Sequence, residues 1–570
     1  MRKSGTKFSL RAIRQYRARD IFPYLALRYF LGGEHARSDH FARFTAPQVV
    51  RATRQPSYMA VPYFKEFAGP GTLLHREMHM PTAVEALAEA VLIEECSLRA
   101  EIPNRAVCFS YWPKHEKDEE GIFEPYMIGL QARQKAIAQA IRNAPNSEVR
   151  YLDIKTFYPS IKSEMALRSW EYFAEEIRLP ADFEKLGSSL IEKHSKVSNG
   201  HILTGPMFSH FIGNIVLRGL DDEIAKSGRQ IFRYVDDFVV VGGKTLQADV
   251  DWLRSKIEEV GLEAHEPDSD KSLSVSGAEW LKSANDFESG DIAKAWMTLV
   301  GDIKKVLLIK PDVGERLVDR LREDGFRLPI RAYQTAVKDA GTFSRVRELH
   351  LWGWIKAKAR GVSIETIVRD AISLRDTLQT QLLDIFDLGE PDSEFQRKRR
   401  ITKLRYRMGR SLYLSEKGFF ERVVGHRYEW PELEVHFALM DALITGRGDQ
   451  VVRMGGNVAQ AAAQLFSAAG ENVEFLDEVR ESTERIGLAI FAANGVKGRT
   501  RANVLDGPIL QYATGPISRQ MFSNFTGFLR DAACLHGIGE ARHGEIMKRA
   551  YDVAEEVHFD AISLDYGYSF

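Results

Sequence analysis

Cysteine is scarce. The chain of 570 residues holds three, Cys96, Cys108 and Cys534, far apart and with no C-x-x-C pair. That argues against a disulfide framework and a cysteine-based zinc module, and it fits a reducing cytoplasm. Long apolar runs are missing too. No stretch of 18 apolar residues occurs, so no membrane span is expected. The opening MRKSGTKFSLRAIRQYRARD is basic but has no apolar signal core, and reads as a basic helix or arm. An excess of either charge is also absent. With a net charge of −1, affinity for a polyanion cannot come from a uniform positive field.

What is present is a chain that is 44% hydrophobic, enough to bury a large core in two or more structural units. Its most informative stretch is RYVDDFVVVG. Ile231-Phe232 leads in and Phe238-Val239-Val240-Val241 leads out, so each side reads as a short buried strand. Tyr234-Val235-Asp236-Asp237 falls at the tight turn between them, where aspartate tolerates a positive φ. Two adjacent carboxylates at the tip of an apolar hairpin are costly without a cation. A divalent metal with a preference for oxygen ligands, normally Mg²⁺, offsets that cost. A solvated Asp-Asp turn is the bland alternative.

Two upstream segments sharpen the reading. VRYLDIKTFYPSIK is a strand-like run that ends on Asp153 and breaks into Phe157-Tyr158-Pro159. NGHILTGPMFSHFIGNIVL is a Gly/Pro loop opening a helix, with Phe208, Phe211, Ile212, Ile215 and Val216 at helical spacing. With these residues the chain resembles a reverse transcriptase. Asp153 stands at the metal aspartate of motif A. Thr204-Gly205-Pro206, with Ser209 and Asn214, is similar to motif B, and Tyr234 to Asp237 to the Y-x-D-D of motif C. Asp236 follows Asp153 by 83 positions, a spacing that fits a polymerase palm.

The resemblance implies a mechanism. Joining a nucleotide to a 3′ end is an in-line displacement at phosphorus, with two metals about 3.5–4 Å apart clamping the attacking and leaving oxygens. It puts the metal ligands at Asp153, Ile154, Asp236 and Asp237, with Asp237 the less direct, and makes two Mg²⁺ per site (Mn²⁺ as the alternative) the cofactor. Tyr158 matches the position of a bulky side chain under the sugar, which would exclude a 2′-hydroxyl and favour dNTPs; its bland reading is a core aromatic beside Pro159. Thr204, Gly205 and Arg105 are further nucleotide-binding candidates. VGLEAHEPDSDKSLSV resembles motif D, with Lys271 near the triphosphate or simply a surface lysine. GAEWLKS, 277–283, is a poor match to the primer grip of motif E, with Trp280 and Leu281 as its candidates. IPNRAVCFSYWPK departs from the usual fingers pattern, with Arg105 and Lys114 as its phosphate contacts.

Charge is distributed unevenly. Residues 1–60 hold 12 Lys/Arg against three acids, and RKRRITKLRYRMGR, 397–410, holds eight and no acid. Ile401, Leu404, Tyr406 and Met408 interleave the second run as on a helix with one apolar face. Arg397, Arg399, Arg400 and Arg405 are therefore candidates for lining a phosphate groove, the alternative being a solvated face. From about 285 onward the pattern is helical, divided by breakers at Lys310-Pro311, Gly361, Gly389-Glu390-Pro391 and Gly470. Gly242-Gly243-Lys244-Thr245 is no phosphate loop, because Phe238 occupies the place of its first glycine.

The expected fold is α+β: right-hand polymerase fingers and palm, with an antiparallel palm sheet and helices, followed by a large all-α, repeat-like C-terminal domain. The expected divisions are 1–148, 149–285 and 286–570. No acidic constellation suggests RNase H and no Cys/His cluster a nuclease. The architecture resembles the bacterial abortive-infection and defence-associated reverse transcriptases. That implies DNA synthesis in phage defence, RNA-directed or template-independent, with a nucleic-acid template or non-coding RNA as partner, a homo-oligomeric assembly, and a product attached to protein in some members. Tyr566 and Tyr568 in the terminal LDYGYSF are the priming candidates, with Tyr58 and Tyr63 as others, although such a cluster can equally dock on the last helix. Two alternatives stay open: a mobile-element reverse transcriptase, and a catalytically retired palm serving as an RNA-binding scaffold.

Overall fold

The run Phe238-Val239-Val240-Val241 is apolar on both of its alternating faces, which demands a sheet covered on both sides. The computed structural model describes residues 4–16, 35–53, 58–69, 72–113, 121–124, 126–266, 272–287, 291–328, 362–477 and 494–500, with isolated positions at 27, 30–31, 330, 484, 487–488 and 490–491. Lys114, Lys271, Cys534, Tyr566 and Tyr568 lie outside the described residues, and so do the expectations placed on them. Among the described residues, no helix is long and apolar enough to cross a membrane.

The basic N-terminal segment forms helix α1 (Ser4–Tyr16). Phe8, Ala12, Ile13 and Tyr16 fall on one stripe and are buried. A ribbon follows, β1 (Met59–Gly69) and β2 (Thr72–Met80), paired antiparallel. Helix α2 (Ala83–Ser97) opens with a capping box between Thr82 and Glu85. It packs on α1, with Glu94 pairing both Lys7 and Arg11.

Helix α3 (Tyr126–Asn143) precedes the central sheet. Strand β3 (Glu148–Asp153) ends on Asp153, as the sequence predicts. The chain then makes the short α4 (Phe157–Ser160), and later α6 (Met207–Val216) and α7 (Arg218–Ser227), with α5 (Ser163–Glu176) between. Strands β4 (Gln230–Tyr234), β5 (Asp237–Gly242) and β6 (Ser274–Ser276) complete an antiparallel sheet of order β4-β5-β3-β6. One face carries Leu152, Ile231, Phe238 and Val240 into the main core. The other carries Val149, Tyr151, Phe232, Val239 and Val241 into a second core with Ile137 and Ile141 of α3.

This second core takes in the two primer-grip candidates, Trp280 and Leu281. GAEWLKS begins helix α8 (Gly277–Phe287). Trp280, expected at a primer grip, is wholly buried and donates its indole N–H to Tyr151 Oη at 2.8 Å, while Leu281 packs beside it. Trp280 is thus a large buried ring with its one donor satisfied.

The remaining described chain is mostly helical, including α9 (Asp291–Ile309), α10 (Ile364–Phe386), α11 (Glu394–Leu414) and α12 (Gly456–Ala469). It is not all-α. A parallel pair, β7 (Val473–Phe475) and β8 (Gly498–Thr500), follows α12. Each strand is three residues long, too short for its alternation to stand out from helical neighbours. The main core is continuous from Phe8 to Val496. Thus the N-terminal helices, one sheet face and the C-terminal helices share one interior.

Candidate active site

The β4–β5 ladder closes at Tyr234 opposite Asp237, leaving Val235 and Asp236 as a two-residue turn. Such turns require a positive φ at the first central position, usually met by glycine or asparagine. Here the residue is Val235, with φ 58°, not an aspartate as the sequence reading supposed. A β-branched side chain in that region is an outlier, costing about 1–3 kcal/mol unless the surroundings hold it. They do. Val235 N–H donates to Ser110 Oγ at 2.8 Å, and its carbonyl accepts from Arg233 Nη1 at 2.8 Å.

Arg233 is fully buried and forks onto Asp221 of α7, with Nε–Oδ1 at 2.7 Å and Nη2 on Oδ2. It also reaches Asn214 Oδ1 of α6 at 3.2 Å, and Asn214 Nδ2 donates to Ser110 O. Desolvation works against the Arg233 charge, but Asp221 and Cys108 outweigh it and hold the pKa above its ordinary value. The turn therefore rests on a buried polar network drawn from three elements.

Asp153 lies directly opposite Asp237 on the β3–β5 ladder. Opposed residues share a face with their Cβ atoms about 4.5–5.5 Å apart, and like charges so placed repel. Ile154 N–H donates to the Asp236 carbonyl at 3.1 Å, tying the turn to the end of β3. His265 N–H donates to Asp153 O at 2.8 Å, and its Nε2 stands 3.8 Å from Asp153 Oδ2. An internal cation offsets part of the repulsion: Arg133 of α3, wholly buried, places Nη1 2.9 Å from Asp237 Oδ2.

Asp153 and Asp236 are half-buried, whereas Asp237 is buried. Among the described residues, no group of three or more His, Cys, Asp or Glu side chains is arranged to hold a metal ion. Magnesium does not need one. It commonly takes one or two carboxylates and completes its shell with water and substrate phosphates. The oxygen donors at Asp153, Asp236 and the adjoining Ile154 backbone fit that pattern.

The Thr204-Gly205-Pro206 segment is stitched to the ribbon. His79 N–H donates to Thr204 O at 2.7 Å, and Gly205 has φ 123°. A Cβ at Gly205 would lie 2.4 Å from His79 O, so both conformation and space demand glycine. Helix α6 starts on Glu89 of α2, whose Oε2 accepts from Tyr16 Oη at 2.6 Å and from Met207 N–H at 3.1 Å. Burial pushes the Glu89 carboxyl up to about 8, against the pull of those donors. Tyr158, on α4, is hydrogen-bonded through Oη to His210 Nδ1 of α6.

Of the four arginines proposed to line a phosphate groove, only Arg399 is buried. Arg399 is 6% exposed, its guanidinium 5.1 Å from the Phe395 ring centre and 5.8 Å from that of Trp280. Arg397 grips Glu432 with both nitrogens, at 2.7 and 2.9 Å, and lies over Trp430. Arg400 donates to Gly389 O, and Arg405 to Glu432 O. These contacts tie α11 to its surroundings, with Arg397, Arg400 and Arg405 half-buried. Arg105 is exposed and stacks on Trp112. Tyr58 and Tyr63 are half-buried, Tyr58 against His194.

Sequence reasoning missed Arg133, Ser110, Asp221 and Arg233. Only Arg233, next to Tyr234, carried a hint: a charge inside an otherwise apolar strand must find a buried partner. The chain matches no family model, and comparison with curated proteins returns no match.

Proposed function

We propose that the protein is a reverse transcriptase, a nucleotidyltransferase that adds dNTPs to a 3′ end with Mg²⁺, acting in bacterial phage defence. The observation that carries the reading is the register that sets Asp153 opposite Asp237, with Asp236 in a strained, braced turn between them. Strain held by a surrounding network is characteristic of sites where geometry matters more than stability. Clustered carboxylates that repel one another are hard to explain in a retired scaffold.

In this reading Asp153 and Asp236, with the Ile154 backbone, hold the metals, which when bound supply charge neutralisation for displacement at phosphorus. Arg133 fixes Asp237 and limits the negative charge at the site. The Ser110–Arg233–Asn214 network keeps the turn from relaxing. Tyr158 faces the sugar and selects dNTPs. The defence role rests on the motif resemblance together with a long, mostly helical C-terminal half that carries no RNase H or nuclease signature.

The test is incorporation of labelled dNTP with Mg²⁺ on RNA and DNA templates and with none, comparing wild type with Asp153→Asn and Asp236→Asn. Each variant should lose at least about 100-fold, as an amide cannot replace a carboxylate on the metal. Incorporation by either variant within a few-fold of wild type refutes the assignment. Label that stays on the polypeptide after denaturation and nuclease treatment would identify protein priming.

A further inference from the structure

We propose that His210 is the positioning residue for Tyr158, and that the Tyr111–His210–Tyr158 stack sets how sharply the site tells deoxyribose from ribose. The inference rests on the polymerase reading above and extends it to a residue that no motif singles out.

His210 is 5% exposed, on the face of α6 that meets α4. Its ring lies flat against Tyr111, with centres 4.0 Å apart and planes 8° from parallel. The Tyr158 ring meets it edge-on at 5.2 Å, and Tyr158 Oη is hydrogen-bonded to its Nδ1. One turn further along α6, Gly213 faces the same way. A Cβ there would lie 3.0 Å from Phe157 Cε1 and 3.6 Å from Tyr158 Cε1. The phenol is thus held at its oxygen by His210, and the missing side chain of Gly213 leaves room for Phe157 and the phenol beside it.

Tyr111 itself is anchored. It sits at φ 52°, next to Ser110, whose hydroxyl holds Val235 and whose carbonyl accepts from Asn214. Two non-glycine residues at positive φ, Tyr111 and Val235, are therefore braced through one serine. This chain of contacts links the catalytic turn to the ring proposed to face the sugar.

A steric gate works only while its ring cannot step aside. Rejection of an added hydroxyl by packing alone reaches only about 100-fold, so loss of one restraint on the ring removes a measurable part of it. Losing the Tyr158–His210 bond should lower discrimination by about tenfold.

The experiment measures kcat/KM for a dNTP and its matching NTP on one primer–template. The variants are Tyr158→Val, Tyr158→Phe, His210→Ala, His210→Asn and Gly213→Ala. His210→Ala should lower the dNTP/NTP ratio about tenfold, and His210→Asn, which keeps a polar atom near Nδ1, should restore most of it. Gly213→Ala should shift the ratio without touching His210. Tyr158→Phe removes the same bond from the other side, so adding His210→Ala to it should change little; it also serves if His210→Ala does not fold. If Tyr158→Val relaxes selectivity but His210→Ala and Tyr158→Phe leave it unchanged, the inference is overturned and the gate stands. If Tyr158→Val changes nothing, the gate falls and His210 with it. A wild type that incorporates neither nucleotide refutes the polymerase reading itself.

Discussion

Asp236 and Asp237 are neighbours, yet exchanging each for asparagine should affect the fold very differently. Asp237 is 9% exposed and faces Arg133, which is wholly buried. Arg133 Nε and Nη2 have no hydrogen-bond partner among the described residues, so Nη1 on Asp237 is the principal compensation for its charge. Removing one partner of a buried pair costs about 3–5 kcal/mol. Asparagine keeps one acceptor oxygen, which places Asp237→Asn near the lower end, at about 3 kcal/mol. Asp236 sits half-buried in the turn, and its replacement should cost about 0.5 kcal/mol or less. Urea unfolding followed by circular dichroism, with equal slopes, reads the difference directly. Adding Arg133→Met to Asp237→Asn should recover stability rather than lose more, because the stranded charge leaves with it. Coincident midpoints for Asp236→Asn and Asp237→Asn would refute the argument. The practical result is that Asp153→Asn and Asp236→Asn report on chemistry, whereas Asp237→Asn also reports on folding.

Two further outcomes follow from buried charge. Glu89 titrates at about 8 in the folded protein against an ordinary 4.5, so the folded state keeps a proton that the unfolded chain has lost. Its contribution to stability is complete below about pH 4.5 and is lost as pH rises to about 8, at up to about 1.4 kcal/mol per pH unit. Unfolding of Glu89→Gln across that window should be flatter than wild type, and an unchanged slope would show that Glu89 is ionised in the fold. Arg399→Glu, between Phe395 and Trp280, should cost about 3 kcal/mol or more and leave the salt dependence of nucleic-acid binding unchanged. Normal stability with a log–log slope lowered by about 0.7–0.9 would return Arg399 to the phosphate-contact role.

The strands around the turn were legible because each carries its own local signal: β3 stops at Asp153, and β4 and β5 bracket the two aspartates. Helix α6 was legible from the spacing of Phe208, Phe211 and Ile215. What balances those residues was not. Arg133 comes from a helix about a hundred residues away, and Ser110 from an irregular segment whose role depends on one hydroxyl meeting Val235. Such partners leave no periodicity. The basic run at 397–410 has the local pattern of a phosphate-binding helix, and that pattern carries no sign of what packs on it. Tertiary partners from elsewhere, Trp280 beside the buried Arg399 and Glu432 with Trp430 beside Arg397, were not legible.

The ribbon of β1 and β2 has a consequence for the order of assembly. One end meets the Thr204-Gly205 loop through His79. Its flank meets the far part of the chain, where His75 Nε2 lies 2.9 Å from the carbonyl of Arg453 across 378 positions, and Tyr63 bridges to Gly455. Contacts so distant in sequence form late, since the intervening chain must be made and ordered first. During synthesis from the N-terminus, the sheet with its aspartates can be complete while the ribbon still waits for residues 453–455. The ribbon that buttresses Thr204 and Gly205 then gains its contacts to Arg453 and Gly455 only after the sheet has been made.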